Sequence, residues 1–162
     1  MHASYQQKIV SYPELLLRTS EWKQQGASVV FTNGCFDLLH LGHVEYLQQA
    51  AHLGDFLIVG LNSQESIRRL KGPTRPIQDE KSRAAVLASL GCVDLVCIFD
   101  EDSPEQLIHS ITPQVLVKGG DWKPEQILGG DWVIAQGGQV ISIPFVEGYS
   151  TTRIEQKIKS QP

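Results

Sequence analysis

The sequence predicts an α/β fold: a doubly wound parallel sheet of five strands in the order 3-2-1-4-5, with helices on both faces. Three observations carry that expectation. Short apolar runs rich in β-branched residues occur at 29–32, 56–61, 95–99, 115–117 and 140–143. Near-continuous apolarity in strands this short means burial on both faces, the habit of parallel sheets. Helical patterns lie between the runs, at 43–53, 63–70, 79–90, 104–110 and 130–136, and such alternation gives right-handed crossovers. Polar, glycine-bearing segments follow the first, fourth and fifth runs, where a fold of this kind opens its binding crevice.

Each element has a local cause. Ser11-Tyr12-Pro13-Glu14 reads as a capping box and opens a helix to about Gln25, stopped by Gly26. Gly54 ends the helix at 43–53, and Ser63, Asp79 and Ser103 read as N-caps of the next three. No repeat, low-complexity run or long linker divides the chain. The expected organisation is one domain over 1–162, with a helical extension at 1–26 and a core at 27–159.

Composition bounds the function. A chain of 162 residues with 41% apolar and 20% charged content can bury one core. It has no apolar run near the ~20 residues that cross a bilayer. Its first residues, Met1 to Lys8, lack the apolar stretch of a signal peptide. The three scattered cysteines, Cys35, Cys92 and Cys97, fit reduced thiols and a cytoplasmic location. A net charge of −4 argues against a nucleic-acid surface, which needs a basic stripe. Cations for any anionic ligand must therefore be gathered in one small site.

The segment Asn33-Gly34-Cys35-Phe36-Asp37-Leu38-Leu39-His40-Leu41-Gly42-His43 sits at a strand-to-helix junction. There two imidazoles stand beside exposed helix N–H groups, a natural site for phosphate. Gly42 leaves no side chain to block the approach. No cysteine or carboxylate at a supporting spacing makes a metal site of the pair. Lys71-Gly72-Pro73-Thr74-Arg75-Pro76 reads as a stiff basic loop presenting Lys71. Lys118 ends a buried strand, where a lysine needs a partner, and Gly119-Gly120 allow close backbone approach. Ser150-Thr151-Thr152 first caps the last helix and can also donate to phosphate. Arg83 either reaches into the site or forms a surface ion pair. His2, His52 and His109 read as surface residues. Trp22 and Trp132 read as packing, whereas Trp122 adjoins the Gly119-Gly120-Asp121 turn.

The Asn33–Asp37 motif with His40-Leu-Gly-His43 and Ser150-Thr-Thr resembles the cytidylyltransferase-like branch of the HxGH nucleotidyltransferases, which are Rossmann-like. Leu70-Lys71-Gly72 with Arg75-Pro76, Val117 to Trp122, and Glu147 to Thr152 are similar to the D-glycero-β-D-manno-heptose 1-phosphate adenylyltransferase group, from about Val29 to Lys159. In many bacteria that activity is half of a bifunctional protein whose other half is a sugar kinase, so the resemblance implies a stand-alone transferase here. Glycerol- and ethanolamine-phosphate cytidylyltransferases carry an Arg-Thr pair where Phe145 and Val146 stand, a departure that favours the heptose group.

The resemblance implies that ATP and a sugar 1-phosphate give ADP-heptose and pyrophosphate. His40, His43 and Lys71 are the implied catalytic residues. Asn33, Gly34, Cys35, Phe36, Gly42, Lys118, Gly119, Asp121, Ser150, Thr151 and Thr152 are the implied nucleotide-binding set. Asp37, Arg75 and Arg83 would contact the sugar phosphate, with Asp37 alternatively facing hydrated Mg²⁺. That ion is expected chiefly on nucleotide phosphates and water. Two alternatives stay open: a cytidylyl- or guanylyltransferase on a related sugar or polyol phosphate, and a non-catalytic nucleotide-binding module. No membrane or nucleic-acid partner is expected. The resemblance leaves a homodimer open, and it points to a bacterial heptosyl donor for lipopolysaccharide or related glycans.

Overall fold

The computed structural model describes residues 4–161, so the reading of His2 lies outside the described residues. Five strands form one all-parallel sheet in the order β3-β2-β1-β4-β5. They are β1 (Val29–Gly34), β2 (Phe56–Asn62), β3 (Leu95–Phe99), β4 (Val115–Gly119) and β5 (Gln139–Ile143). The expected order and direction are those observed. The helices are α1 (Tyr5–Lys8), α2 (Tyr12–Gln24), α3 (Leu41–Ala51), α4 (Gln64–Lys71), α5 (Glu80–Ser89), α6 (Glu105–Ile111), α7 (Gly130–Ala135) and α8 (Thr151–Lys159), with a single 3₁₀ turn at Pro124–Gln126.

The two-residue period of the strands divides the core between the sheet's faces. Val30, Val59, Leu61, Val96 and Val117 point to one side, against Leu47 of α3 and Ala84 and Leu87 of α5. Val29, Phe31, Ile58, Leu95 and Leu116 point to the other, against Leu15 of α2, Ile108 of α6 and Val133 of α7. Helices therefore cover both faces, as the apolar runs require.

The N-terminal segment is packed on this core. Leu15 is fully buried, the Val10 amide donates to the Val96 carbonyl at 3.0 Å, and the Lys23 ammonium donates to the carbonyls of Ile111 and Thr112 at the end of α6. Ser11, Ser63 and Asp79 cap α2, α4 and α5. Ser103 accepts from the Glu105 amide at 3.3 Å, while Pro104 holds the cap position of α6. The sheet's topology reverses at β1, between β2 and β4. A crevice opens there, beyond the carboxyl ends of the strands.

Candidate active site

The crevice holds a cavity of about 390 Å³, bordered by the β1–α3 turn, the end of α4, the end of β4 and the start of α8. His40 is the N-cap residue of α3, and His43 lies in that helix's first turn. Their ring centroids are 4.0 Å apart with planes inclined by 31°. The Nδ1 atom of each ring is buried without a hydrogen-bond partner. These two nitrogens leave hydrogen-bonding capacity at the crevice, as Nε and Nη2 of Arg83 do behind it.

Gly42 is required here for a reason other than ligand access. A Cβ at Gly42 would stand 2.9 Å from Cε1 of His40, so the imidazole itself occupies that space. Gly34 plays the same part for Phe36: a Cβ there would meet the Phe36 ring at 2.9 Å. Phe36 adopts φ +44°, a left-handed conformation that bulky residues rarely take, so the Cys35–Phe36 turn needs bracing.

Arg83 braces it. Its side chain is 1% exposed, and Nη1 donates to the carbonyls of Cys35 and Asn62, each at 2.9 Å. Arg83 does not line the cavity, which corrects the expectation of a substrate contact.

Asp37 is corrected in the same way. It borders the cavity, but its carboxylate accepts the Ile77 amide at 2.7 Å and the Gln78 amide at 2.8 Å, and pairs with Arg75 at 3.5 Å. These bonds tie the carboxylate to the loop after Lys71. Arg75 lines the cavity and bridges Asp37 to Glu155 of α8.

Of the remaining expected residues, Gly34, Cys35, Phe36, His40, Gly42, His43, Lys71, Lys118, Gly119, Ser150 and Thr151 line the cavity. Asn33 points into a neighbouring cavity of about 320 Å³, which shares Lys118 and contains Trp122. Asn33 and Gly34 are consecutive in a strand and so face opposite sides. Asp121 and Thr152 are exposed and line neither cavity. Ser150 accepts the Arg153 amide at 3.1 Å, and the Thr151 hydroxyl donates to the Leu38 carbonyl at 3.1 Å. The Thr151 hydroxyl holds the start of α8 against the β1–α3 turn, while Ser150 caps the helix through the Arg153 amide and leaves the amides of Thr151 and Thr152 as anion donors.

The reading from sequence missed Tyr46, Ile67, Phe145, Val146 and Tyr149, all of which line the cavity. Tyr46 was findable: it lies three residues after His43 and hence on the same helix face. Its hydroxyl pairs with Thr32 at 2.5 Å, and burial pushes its pKa up to about 12.

The electrostatics favour an anion. Burial, reinforced by His40 and Lys71, pushes His43 down to about 4, and burial also lowers His40. Burial first, then Lys71, lowers Lys118, while Cys35 opposes them. Each group is held back from carrying charge by its surroundings, and a bound polyanion reverses that balance. Among the described residues, no three His, Cys, Asp or Glu side chains are placed to hold a metal ion.

A sequence model of the family described as cytidylyltransferase-like matches residues 31–157. The chain belongs to this family. It is 58% identical over 136 residues to the bifunctional protein HldE of Trichlorobacter lovleyi, covering 84% of this chain and 28% of that protein. It is 54% identical over 151 residues to HldE of Vibrio cholerae, covering 93% and 32%. The chain thus spans about three tenths of the length of these relatives. A lipopolysaccharide core biosynthesis protein of Thermoplasma volcanium is 30% identical, with a TM-score of 0.60, over 77% of this chain and all of that one. A pantothenate synthetase of Thermus thermophilus shares the fold at 19% identity and a TM-score of 0.63, over 94% of this chain and 70% of that one. These neighbours share the Rossmann-like parallel sheet. No helix of the described residues is long and apolar enough to cross a membrane.

Proposed function

We propose that this chain is an adenylyltransferase that joins ATP and D-glycero-D-manno-heptose 1-phosphate to give ADP-heptose and pyrophosphate. The observation that carries the transfer chemistry is the pair of imidazoles 4.0 Å apart with unpartnered nitrogens. They face the same cavity as Lys71, Lys118 and the start of α8. The identity of the two substrates is supported by the similarity to HldE and by the motifs at Lys71, Lys118 and Ser150.

The nucleophile is a phosphate monoester, mostly dianionic at neutral pH because its second pKa is about 6. Its oxygen attacks the α-phosphorus of ATP. A new P–O bond forms, the bond to the β-phosphate bridge breaks, and pyrophosphate leaves with the electron pair. No proton need move, which fits a cavity with donors and cations but no nucleophile–base pair. The protein's task is to bring two anions into line and to neutralise charge as it moves onto the leaving group.

His40 and His43 hold the triphosphate at the α-phosphorus. Lys71, at the end of α4, spans donor and acceptor phosphates. The amides at the start of α8 take the β- and γ-phosphates. Lys118 lies between the two cavities and so can reach either substrate. Asp37 sets the Lys71–Gln78 loop in place. Magnesium would be held chiefly by the nucleotide's phosphates and water, where it would neutralise phosphate charge; Asp37 is the carboxylate bordering the cavity. The reaction is assigned to the cytoplasm.

Pyrophosphate release, measured for ATP, GTP, CTP and UTP against heptose 1-phosphate and glycerol 3-phosphate, tests this reading. It predicts turnover with ATP and heptose 1-phosphate. Faster turnover with CTP and glycerol 3-phosphate would overturn the substrate assignment, and silence with all pairs would overturn the enzyme.

A further inference from the structure

Phe145 is 76% exposed, a costly position for an aromatic ring unless something covers it. It lies between β5 and α8 and borders the catalytic cavity. The ring lies across the Gly119–Gly120 backbone: a Cβ on Gly119 would stand 3.0 Å from its Cε1, and one on Gly120 3.0 Å from its Cε2. Two side-chain-free residues thus prop the ring from below and leave most of its π surface open.

The same cavity is lined by the imidazoles, Lys71, Lys118 and the start of α8, and by Phe145 on its glycine prop. A nucleoside triphosphate needs both kinds of group, cations and donors for its phosphates and a flat apolar surface for its base. We propose that Phe145 is the platform on which the nucleobase stacks, and that it selects the two-ring purines over pyrimidines by contact area. This rests on the nucleotidyl-transfer reading above and adds the residue that sets its base preference. A ring that reads area does not read the base edge, so Phe145 does not separate ATP from GTP.

The test compares wild type, Phe145→Ala, Phe145→Trp and Trp122→Ala in steady-state turnover and in equilibrium binding of non-hydrolysable ATP, GTP and CTP analogues. Stacking of this kind corresponds to a loss of about 10-fold in affinity on truncation to alanine. Phe145→Ala is expected to weaken ATP and GTP by about that factor and CTP by less, with the loss falling on KM more than on kcat, while Phe145→Trp restores it. Phe145 is exposed, so the variant keeps its core, and an unchanged melting curve checks that. The proposal is overturned if Phe145→Ala leaves the purine-to-pyrimidine ratio unchanged in a protein that binds nucleotide. It is also overturned if Trp122→Ala, in the neighbouring cavity, takes the loss instead. A wild-type chain that binds none of the analogues sinks the nucleotide reading itself, an outcome distinct from both.

Discussion

Replacing Asp37 by asparagine separates holding the loop from touching the substrate. The Asp37 side chain is only 8% exposed, so solvent screens its bonds little. The charged carboxylate accepts two backbone amides at 2.7 and 2.8 Å, those of Ile77 and Gln78. Asparagine keeps one acceptor oxygen and turns its NH₂ toward the second amide, leaving that buried N–H unpaired and Arg75 without one of its two anions. A charge-assisted bond is worth ~1.5–3 kcal/mol and a stranded donor costs ~1–3 kcal/mol; because the two overlap, the loss is about 2–4 kcal/mol. For a chain of this size that lowers Tm by about 5–15 °C. Loosening the loop also misplaces Lys71 and Arg75, and kcat/KM is expected to fall about 10- to 100-fold. Thermal unfolding and initial rates, measured side by side, give the answer. An unchanged Tm with a large loss in kcat would refute the argument and return Asp37 to the substrate.

Three further outcomes follow from the site. His43→Ala is expected to lower kcat by roughly 100- to 1,000-fold, read by pyrophosphate release, because it removes a donor aimed at developing charge. His43 stays neutral in the fold down to about pH 4, whereas in the unfolded chain it takes a proton near 6.5. As pH falls through that window the unfolded state binds more protons, so stability drops from about pH 6.5 to about pH 4 and then levels off. Urea unfolding across that range should show a shallower decline for His43→Gln, and parallel curves would contradict the assignment. Lys118→Met should cost activity but not stability, since it removes a cation whose burial is unfavourable. A fall in Tm as large as the Asp37→Asn shift would show that Lys118 is structural.

The sheet was legible because its cause is local. Five β-branched runs with helical patterns between them allow few other arrangements, and the Leu95–Phe99 strand falls where its apolar residues begin and end. Boundaries drifted where polar residues continue a strand: β1 runs on through Asn33 and Gly34, and β4 through Lys118 and Gly119, because their backbones still pair. The histidine pair and both lysines were legible from spacing at strand and helix ends. Asp37 and Arg83 were not, because the partners that occupy them, the Ile77 and Gln78 amides and the Asn62 carbonyl, are distant in sequence. Gly42 was read as room for a ligand; it does line the cavity, and the fold adds that a side chain there would also strike the His40 ring. Phe145 entered the sequence reading only as a departure from the Arg-Thr pair: it lies in an irregular segment, and only the fold shows that it rests on Gly119 and Gly120.

The claim beneath all of this is that the neutral imidazoles wait for a polyanion that recharges them. The His43 pKa, followed by NMR with and without a non-hydrolysable ATP analogue, measures that directly. The account predicts a value near 4 in the free chain and a clear upward shift in the complex. A His43 pKa that does not move when the nucleotide is bound would contradict it.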